Sequence, residues 1–141
     1  MYLLDTDHLG IIQRQTEPEF SRLWTRMSRE DSRAFYVSIV TFHEQVLGWS
    51  AYLNRARGTA GVVRAYRMFE HILADFSAAQ ILSFDESAAH RFDELRTKKV
   101  RIATMDLRIA AIALSRDLTL LSRNLSDFHK VTELKVEDWI S

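Results

Sequence analysis

The sequence contains no cysteine and a single proline, Pro18. Without cysteine the chain has neither a disulfide framework nor a thiolate metal site, so a reducing cytoplasm is the expected compartment. No apolar run reaches the roughly 18 residues needed to cross a bilayer, and the first residues lack the basic stretch of a secretory leader. These absences favour a cytoplasmic protein without a membrane span.

A charge excess is also absent, because 19 basic side chains balance 19 acidic ones. The chain therefore lacks the basic surplus typical of nucleic-acid-binding proteins. The basic side chains are, however, 15 arginines and only four lysines. The planar guanidinium group suits bidentate contact with phosphate or carboxylate, so this composition mildly favours recognition. A compositional bias of the genome would produce the same excess of arginine.

The organisation of the chain predicts a single α/β domain over residues 1–141, because no linker, low-complexity tract or repeat interrupts it. Short apolar runs alternate with longer segments whose apolar residues follow helical spacing. The runs predict five strands, at 1–4, 34–37, 80–82, 119–121 and 135–136. Strands alternating with helices predict a three-layer α/β/α sandwich with a mostly parallel central sheet.

Acidic side chains stand near the predicted strand ends, where ligands gather in parallel sheets. Asp5 ends the first strand, Glu44 follows the second and Asp127 follows the fourth, whereas Asp106 begins the helix before the fourth. Each acid also has a purely structural interpretation. In that interpretation Asp5 or Asp7 caps the helix that follows, Thr41-x-x-Glu44 is a capping box by its spacing, and Asp106 complements the helix dipole.

Helical spacing favours a metal site over those structural roles for Glu44 and Asp106. Asp106 aligns with Ile109 and Ala110, so it lies on an apolar helix face, and Glu44 lies between apolar arcs. A carboxylate on a buried face needs a cation or a raised pKa. Oxygen ligands without cysteine favour Mg²⁺ or Mn²⁺ over zinc, and the five histidines lack metal-ligand spacing. Such a cluster suits phosphodiester hydrolysis by a metal-activated water.

Four motifs occur in order along the chain: LLDTDxL at 3–9, SxVTxxExxxG at 38–48, TMDLRIAA at 104–111 and LLSRNxxDFxxV at 120–131. In this order and at these separations they resemble PIN-domain ribonucleases. The last motif is similar to the VapC toxins of that superfamily. The resemblance implies an α/β/α sandwich and a Mg²⁺- or Mn²⁺-dependent endoribonuclease. It also implies a toxin of a toxin–antitoxin system that acts on RNA, forms a homodimer and is inhibited by a cognate antitoxin protein.

By this resemblance Asp5, Glu44 and Asp106 occupy the first three acidic positions of the family. Relatives often carry an acid where this chain has Asn124, and others have an acid three residues later, so Asp127 is the predicted fourth carboxylate. Two further departures are Asp7, where the family usually has asparagine, and Thr132-Glu133, which replaces a Pro-Gly turn.

Arg108 and Arg123 lie near the proposed site in the sequence, and we hypothesise that they contact phosphates of the substrate. The equal alternative is that both are ordinary surface arginines. Two other functions remain open. The chain is a non-catalytic interaction module if its acids are structural. A haloacid-dehalogenase-type phosphatase is the weaker alternative, because Leu9 stands where that class has threonine or valine and its Gly-Asp-x-x-x-Asp loop is absent.

Overall fold

A five-stranded parallel sheet forms the centre of the computed structural model, which describes all residues 1–141. The strand order is β3-β2-β1-β4-β5, and every neighbouring pair is parallel. Each strand lies within one residue of its predicted boundaries. The strands are β1 (Tyr2–Leu4), β2 (Phe35–Ser38), β3 (Ile81–Leu82), β4 (Thr119–Leu121) and β5 (Val136–Glu137).

Seven helices connect and cover the strands, and a short 3₁₀ turn at Ser32–Ala34 precedes β2. The helices are α1 (Thr6–Arg14), α2 (Glu19–Met27), α3 (Ile39–Arg55), α4 (Thr59–Ser77), α5 (Glu86–Thr97), α6 (Thr104–Ser115) and α7 (Leu125–Phe128). No helix combines the length and the apolar character that spanning a membrane requires.

Two apolar cores lie on opposite faces of the sheet, which confirms the predicted three-layer α/β/α architecture. Leu3 and Leu120 point toward the core formed with α5 and α6, while Leu4 and Leu121 point toward the core formed with α1, α2 and α4. Successive strand residues face opposite sides, so strands covered on both faces need apolar residues at every position. In α6 the run from Ile109 to Ala113 is fully buried.

The start of α3 differs from the prediction made from Thr41 and Glu44. Ser38 ends β2 and is also the N-cap of α3, since its Oγ accepts a hydrogen bond from the Thr41 N–H at 3.0 Å. Thr41 therefore lies inside the first turn, fully buried, and the predicted capping box is wrong. Asp85 is the N-cap of α5, because its Oδ1 accepts a hydrogen bond from the Ala88 N–H at 3.0 Å.

Candidate functional site

Asp5 is held at the carboxyl end of β1 by two hydrogen bonds. Its Oδ1 accepts from the Thr6 N–H at 2.8 Å, which caps α1, and its Oδ2 accepts from the Ser122 hydroxyl at 2.7 Å. Ser122 directly follows β4, the neighbour of β1 in the sheet. Both side chains are buried, with Asp5 6% exposed. The pairing of two adjacent parallel strands therefore fixes the position of this carboxylate.

Glu44 reaches the same end of the sheet from the second turn of α3. The Thr6 hydroxyl donates to Glu44 Oε1 at 3.0 Å and also lies 3.4 Å from the Thr41 hydroxyl. Thr6 thus links the helix that follows β1 to the helix that follows β2. Only one carboxylate oxygen of Glu44 is used in this contact, and no hydrogen bond from the protein reaches the other.

Asp106 and Asp127 are joined by the side chain of Asn124. The Asn124 amide Nδ2 donates to Asp127 Oδ2 at 3.1 Å and lies 3.4 Å from Asp106 Oδ2. The Asn124 backbone N–H donates to Ser122 Oγ at 3.0 Å, so the same serine contacts the Asp5 side and the Asp106 side of the cluster. The structure therefore brings the four predicted acids together at the carboxyl end of the parallel strands.

The pKa values of three of these carboxyl groups are raised. Burial raises the pKa of Asp5 to about 7, helped by the negative charge of Asp7 and opposed by the Ser122 hydrogen bond. Burial also raises the pKa of Glu44, against the hydrogen bond from Thr6. For Asp106 the pKa rises mainly through burial, and then through the charges of Asp127 and Asp7. These groups are close enough to repel one another.

No lysine or arginine neutralises the centre of this cluster. Asp5, Glu44 and Asp106 form no ion pair, and only Asp127 has a basic partner, with Lys130 Nζ 3.5 Å from its Oδ1. Oxygen-only donors with uncompensated charge fit Mg²⁺ or Mn²⁺. No set of three histidine or acidic side chains is arranged to hold an ion together.

His8 contacts the site, although its sequence context predicts only a structural or surface role. Its Nε2 accepts the Trp139 N–H at 3.1 Å, so the proton of the neutral ring resides on Nδ1, which donates to Asp7 Oδ1 at 2.7 Å. Asp7 Oδ2 also accepts the Arg123 N–H at 2.9 Å. Asp7 is thus oriented from two sides. The only hint in the sequence is the adjacency of His8 to the DTD motif.

Thr6 and Ser122 are likewise absent from the residues predicted for the site, although both belong to the motifs quoted above. An isolated serine or threonine is too common in sequences to indicate a site, and only the fold shows that these two hydroxyls touch acids. The two predicted phosphate contacts differ in exposure. The Arg123 side chain is exposed, whereas that of Arg108 is partly buried with Nη1 3.9 Å from Met105 Sδ.

A family model of the PIN domain matches residues 2–134. The chain belongs to the PIN-domain family. It is also 28% identical to the tRNA(fMet)-specific endonuclease VapC of Salmonella typhimurium, over 98% of this chain and 97% of that protein. The predicted resemblance is confirmed, and membership of this family argues against the phosphatase alternative.

Solved structures of toxin–antitoxin complexes have a similar fold. VapBC2 from Rickettsia felis, bound to a DNA fragment from its promoter, superposes with a TM-score of 0.75 at 20% identity, covering 98% of each chain. A toxin–antitoxin complex from Klebsiella pneumoniae gives a TM-score of 0.64 at 20% identity, covering 91% of this chain and 90% of that one. At this identity the likeness establishes the α/β fold alone.

Proposed function

We propose that this PIN-domain protein is a metal-dependent endoribonuclease whose site is formed by Asp5, Glu44, Asp106 and Asp127. These acids lie together at one end of the parallel sheet, and three of them have no basic partner. The similarity to an endonuclease over nearly the whole chain supports the same activity. Hydrolysis of RNA at such a site needs a cation that offsets the negative charge of both the carboxylates and the scissile phosphate.

Asp5 and Asp106 would hold the Mg²⁺ or Mn²⁺ ion, with Asp127 as the fourth carboxylate. The bound ion would supply charge neutralisation at the phosphate and a lower pKa for the attacking water. Glu44 has a raised pKa and one oxygen free of hydrogen bonds, so it is suited to accept a proton from that water. Attack would form a bond from the water oxygen to phosphorus as the bond to the leaving oxygen breaks, and the proton accepted by Glu44 would pass through solvent to that leaving oxygen.

The proposal includes the role of toxin in a toxin–antitoxin pair, acting in the cytoplasm as a homodimer of single-domain chains. Support comes from the similarity to VapC and from the complexes of the VapBC type that share the fold. Large apolar side chains are exposed on the helices, including Trp24 on α2 and Tyr66 and Leu73 on α4. Such side chains suit contact with protein partners, and light scattering of the purified protein tests the dimer.

The direct test of the enzyme is RNA cleavage by purified protein. We expect cleavage with Mg²⁺ or Mn²⁺ and none in excess EDTA. The Asp106→Asn variant should lose about a hundredfold or more in cleavage rate, because removing even a group that supports a metal ligand costs about 10- to 100-fold. Asp93→Asn is the matched control, since Asp93 is an exposed acid on α5 without an ion pair. Activity in EDTA, or an unaffected Asp106→Asn variant, contradicts the proposal.

A non-catalytic interaction module is the second function, and the exposed apolar side chains favour it. Metal response separates the two functions. An ion that binds only the folded state raises the melting temperature by mass action, so Mg²⁺ stabilises the nuclease and leaves the interaction module unchanged.

We further propose that Arg108 and Arg123 contact substrate phosphates. Replacing either with glutamine then lowers the salt dependence of RNA binding by about 0.7 in logarithmic slope.

A further inference from the structure

A cleft of about 530 Å³ lies between the end of α5 and the start of α6, outside the acidic cluster. We call it the α5–α6 cleft. One part of its lining is basic and the other is apolar, and no acidic side chain takes part. The lining includes Phe92, Arg96, Lys99, Arg101, Thr104 and Leu107.

The three basic side chains of the cleft, Arg96, Lys99 and Arg101, have no acidic partner within ion-pair distance. The neighbouring Lys98, by contrast, is paired with Glu133 at 3.1 Å and lies outside the lining. The Arg96 guanidinium stacks 5.8 Å from the centre of the Phe92 ring, which holds that charge at the wall. The cleft therefore concentrates unbalanced positive charge in a chain whose net charge is zero.

The cleft adjoins the proposed nuclease site through two connections. Thr104 and Leu107, which line it, flank Asp106 on the first turn of α6. Lys130 forms the other connection, because its Nζ lies 3.5 Å from both Asp127 Oδ1 and the Arg101 carbonyl oxygen. An anionic strand lying in the cleft would thus lead directly to the acids.

We propose that the α5–α6 cleft binds the phosphodiester backbone of the RNA strand on one side of the bond that is cut. This inference rests on the proposed function and extends it to a binding site. Charges of one sign set among low-dielectric walls focus the electric field, so the apolar lining strengthens the attraction of the cations for phosphate. Binding here would offset the repulsion between RNA and the acidic cluster, and the neutral net charge of the chain is then no obstacle to an RNA substrate.

The test compares a cleft variant, in which Arg96, Lys99 and Arg101 are changed to glutamine, with a control that loses three positive charges elsewhere. The control changes Arg55, Arg57 and Arg67, which are exposed and unpaired, to glutamine. Arg55 lies eleven residues beyond Glu44 on α3, about 16 Å along the helix axis. Affinity for a fluorescent single-stranded RNA is measured against salt at fixed Mg²⁺, in the Asp106→Asn background so that the RNA stays intact.

We expect the cleft variant to reduce the logarithmic salt slope by about two, because each phosphate contact on a single strand contributes about 0.7. In the otherwise wild-type protein the same changes should raise KM and leave kcat almost unchanged, since they remove binding common to substrate and transition state. The control should retain the wild-type slope and KM.

Equal salt slopes for the cleft variant and for the Asp106→Asn protein without the cleft changes, or an equal loss of slope in the control, overturn the inference. A second experiment uses poly-L-glutamate as a competitor, because it represents an acidic protein segment. If it competes with the RNA at the cleft with equal affinity per charge, the cleft is a site for acidic peptides and the inference is wrong. A wild-type protein that cleaves no RNA with Mg²⁺ refutes the proposed function itself. Cleavage with unchanged KM in the cleft variant refutes only the cleft.

Discussion

The carboxyl group of Asp5 is buried beside Asp7 without a cation, and its pKa of about 7 expresses the cost of ionising it there. The ordinary pKa of an aspartate is 3.8. Between these two values the folded state binds more protons than the unfolded state, so in metal-free protein this group contributes stability that is lost as pH rises from about 4 to 7. A bound cation would reverse that loss.

Asp5→Asn should therefore stabilise the metal-free protein at pH 8, by on the order of 2 to 4 kcal/mol, because one pKa unit corresponds to about 1.4 kcal/mol. Asparagine still offers an oxygen to cap α1. The measurement is urea unfolding in EDTA at pH 5 and pH 8, with Asp93→Asn as the control. The gain should be smaller at pH 5. An equal gain at both pH values would show that the charge of Asp5 is not its cause.

At the scale of single residues, the sequence allowed prediction of the acids and not of the groups that orient them. Asp5, Glu44 and Asp106 are recognisable because a carboxylate next to apolar residues is unusual. Their partners Thr6 and Ser122 are small hydroxyl residues, which occur in every kind of environment. At the fourth position the side chains of Asn124 and Asp127 are hydrogen-bonded to each other beside Asp106.

At the scale of elements, the strands were predictable to within one residue because each is a short apolar run with polar residues after it. The four-residue helix α7 was not predicted, since four residues are too few to show a helical period. The start of α3 was misplaced because Thr41-x-x-Glu44 and Ser38-x-x-Thr41 both have capping spacing. Only the end of β2 shows which of the two applies.

The N-cap of α3 is Ser38. Ser38→Ala removes the buried acceptor for the Thr41 N–H and should lower the free energy of unfolding by about 1 to 2 kcal/mol. Because α3 carries Glu44, RNA cleavage should fall as well. Asp85→Ala is the matched loss of a cap on α5, and it should lower stability without lowering cleavage. If both changes lower cleavage to the same extent, the N-cap of α3 has no specific role in positioning Glu44.

At the scale of the whole molecule, the strand order places β1 at the centre, and no local pattern in the sequence indicates this. The same holds for contacts between distant segments, such as the hydrogen bond of His8 with Trp139 across 131 residues. This bond fastens the C-terminal segment to α1 and, through the ring of His8, to Asp7.

His8→Leu should lower the free energy of unfolding by about 2 to 3 kcal/mol, because the Trp139 N–H is left buried without an acceptor and Asp7 loses a donor. His129→Leu is the control, since His129 is exposed and its side chain forms no hydrogen bond. Urea unfolding measures both. If the two variants are equally stable, the link between α1 and the C-terminal segment contributes nothing measurable to the fold.

A crystal structure grown or soaked with Mn²⁺ is the decisive test of the metal centre proposed for the acids at the end of the sheet. We expect an anomalous difference peak between Asp5 and Asp106, within about 2.5 Å of an oxygen of each, and no such peak in Asp106→Asn crystals. Ordered acids with no peak between them, or Mn²⁺ bound only elsewhere on the protein, would contradict it.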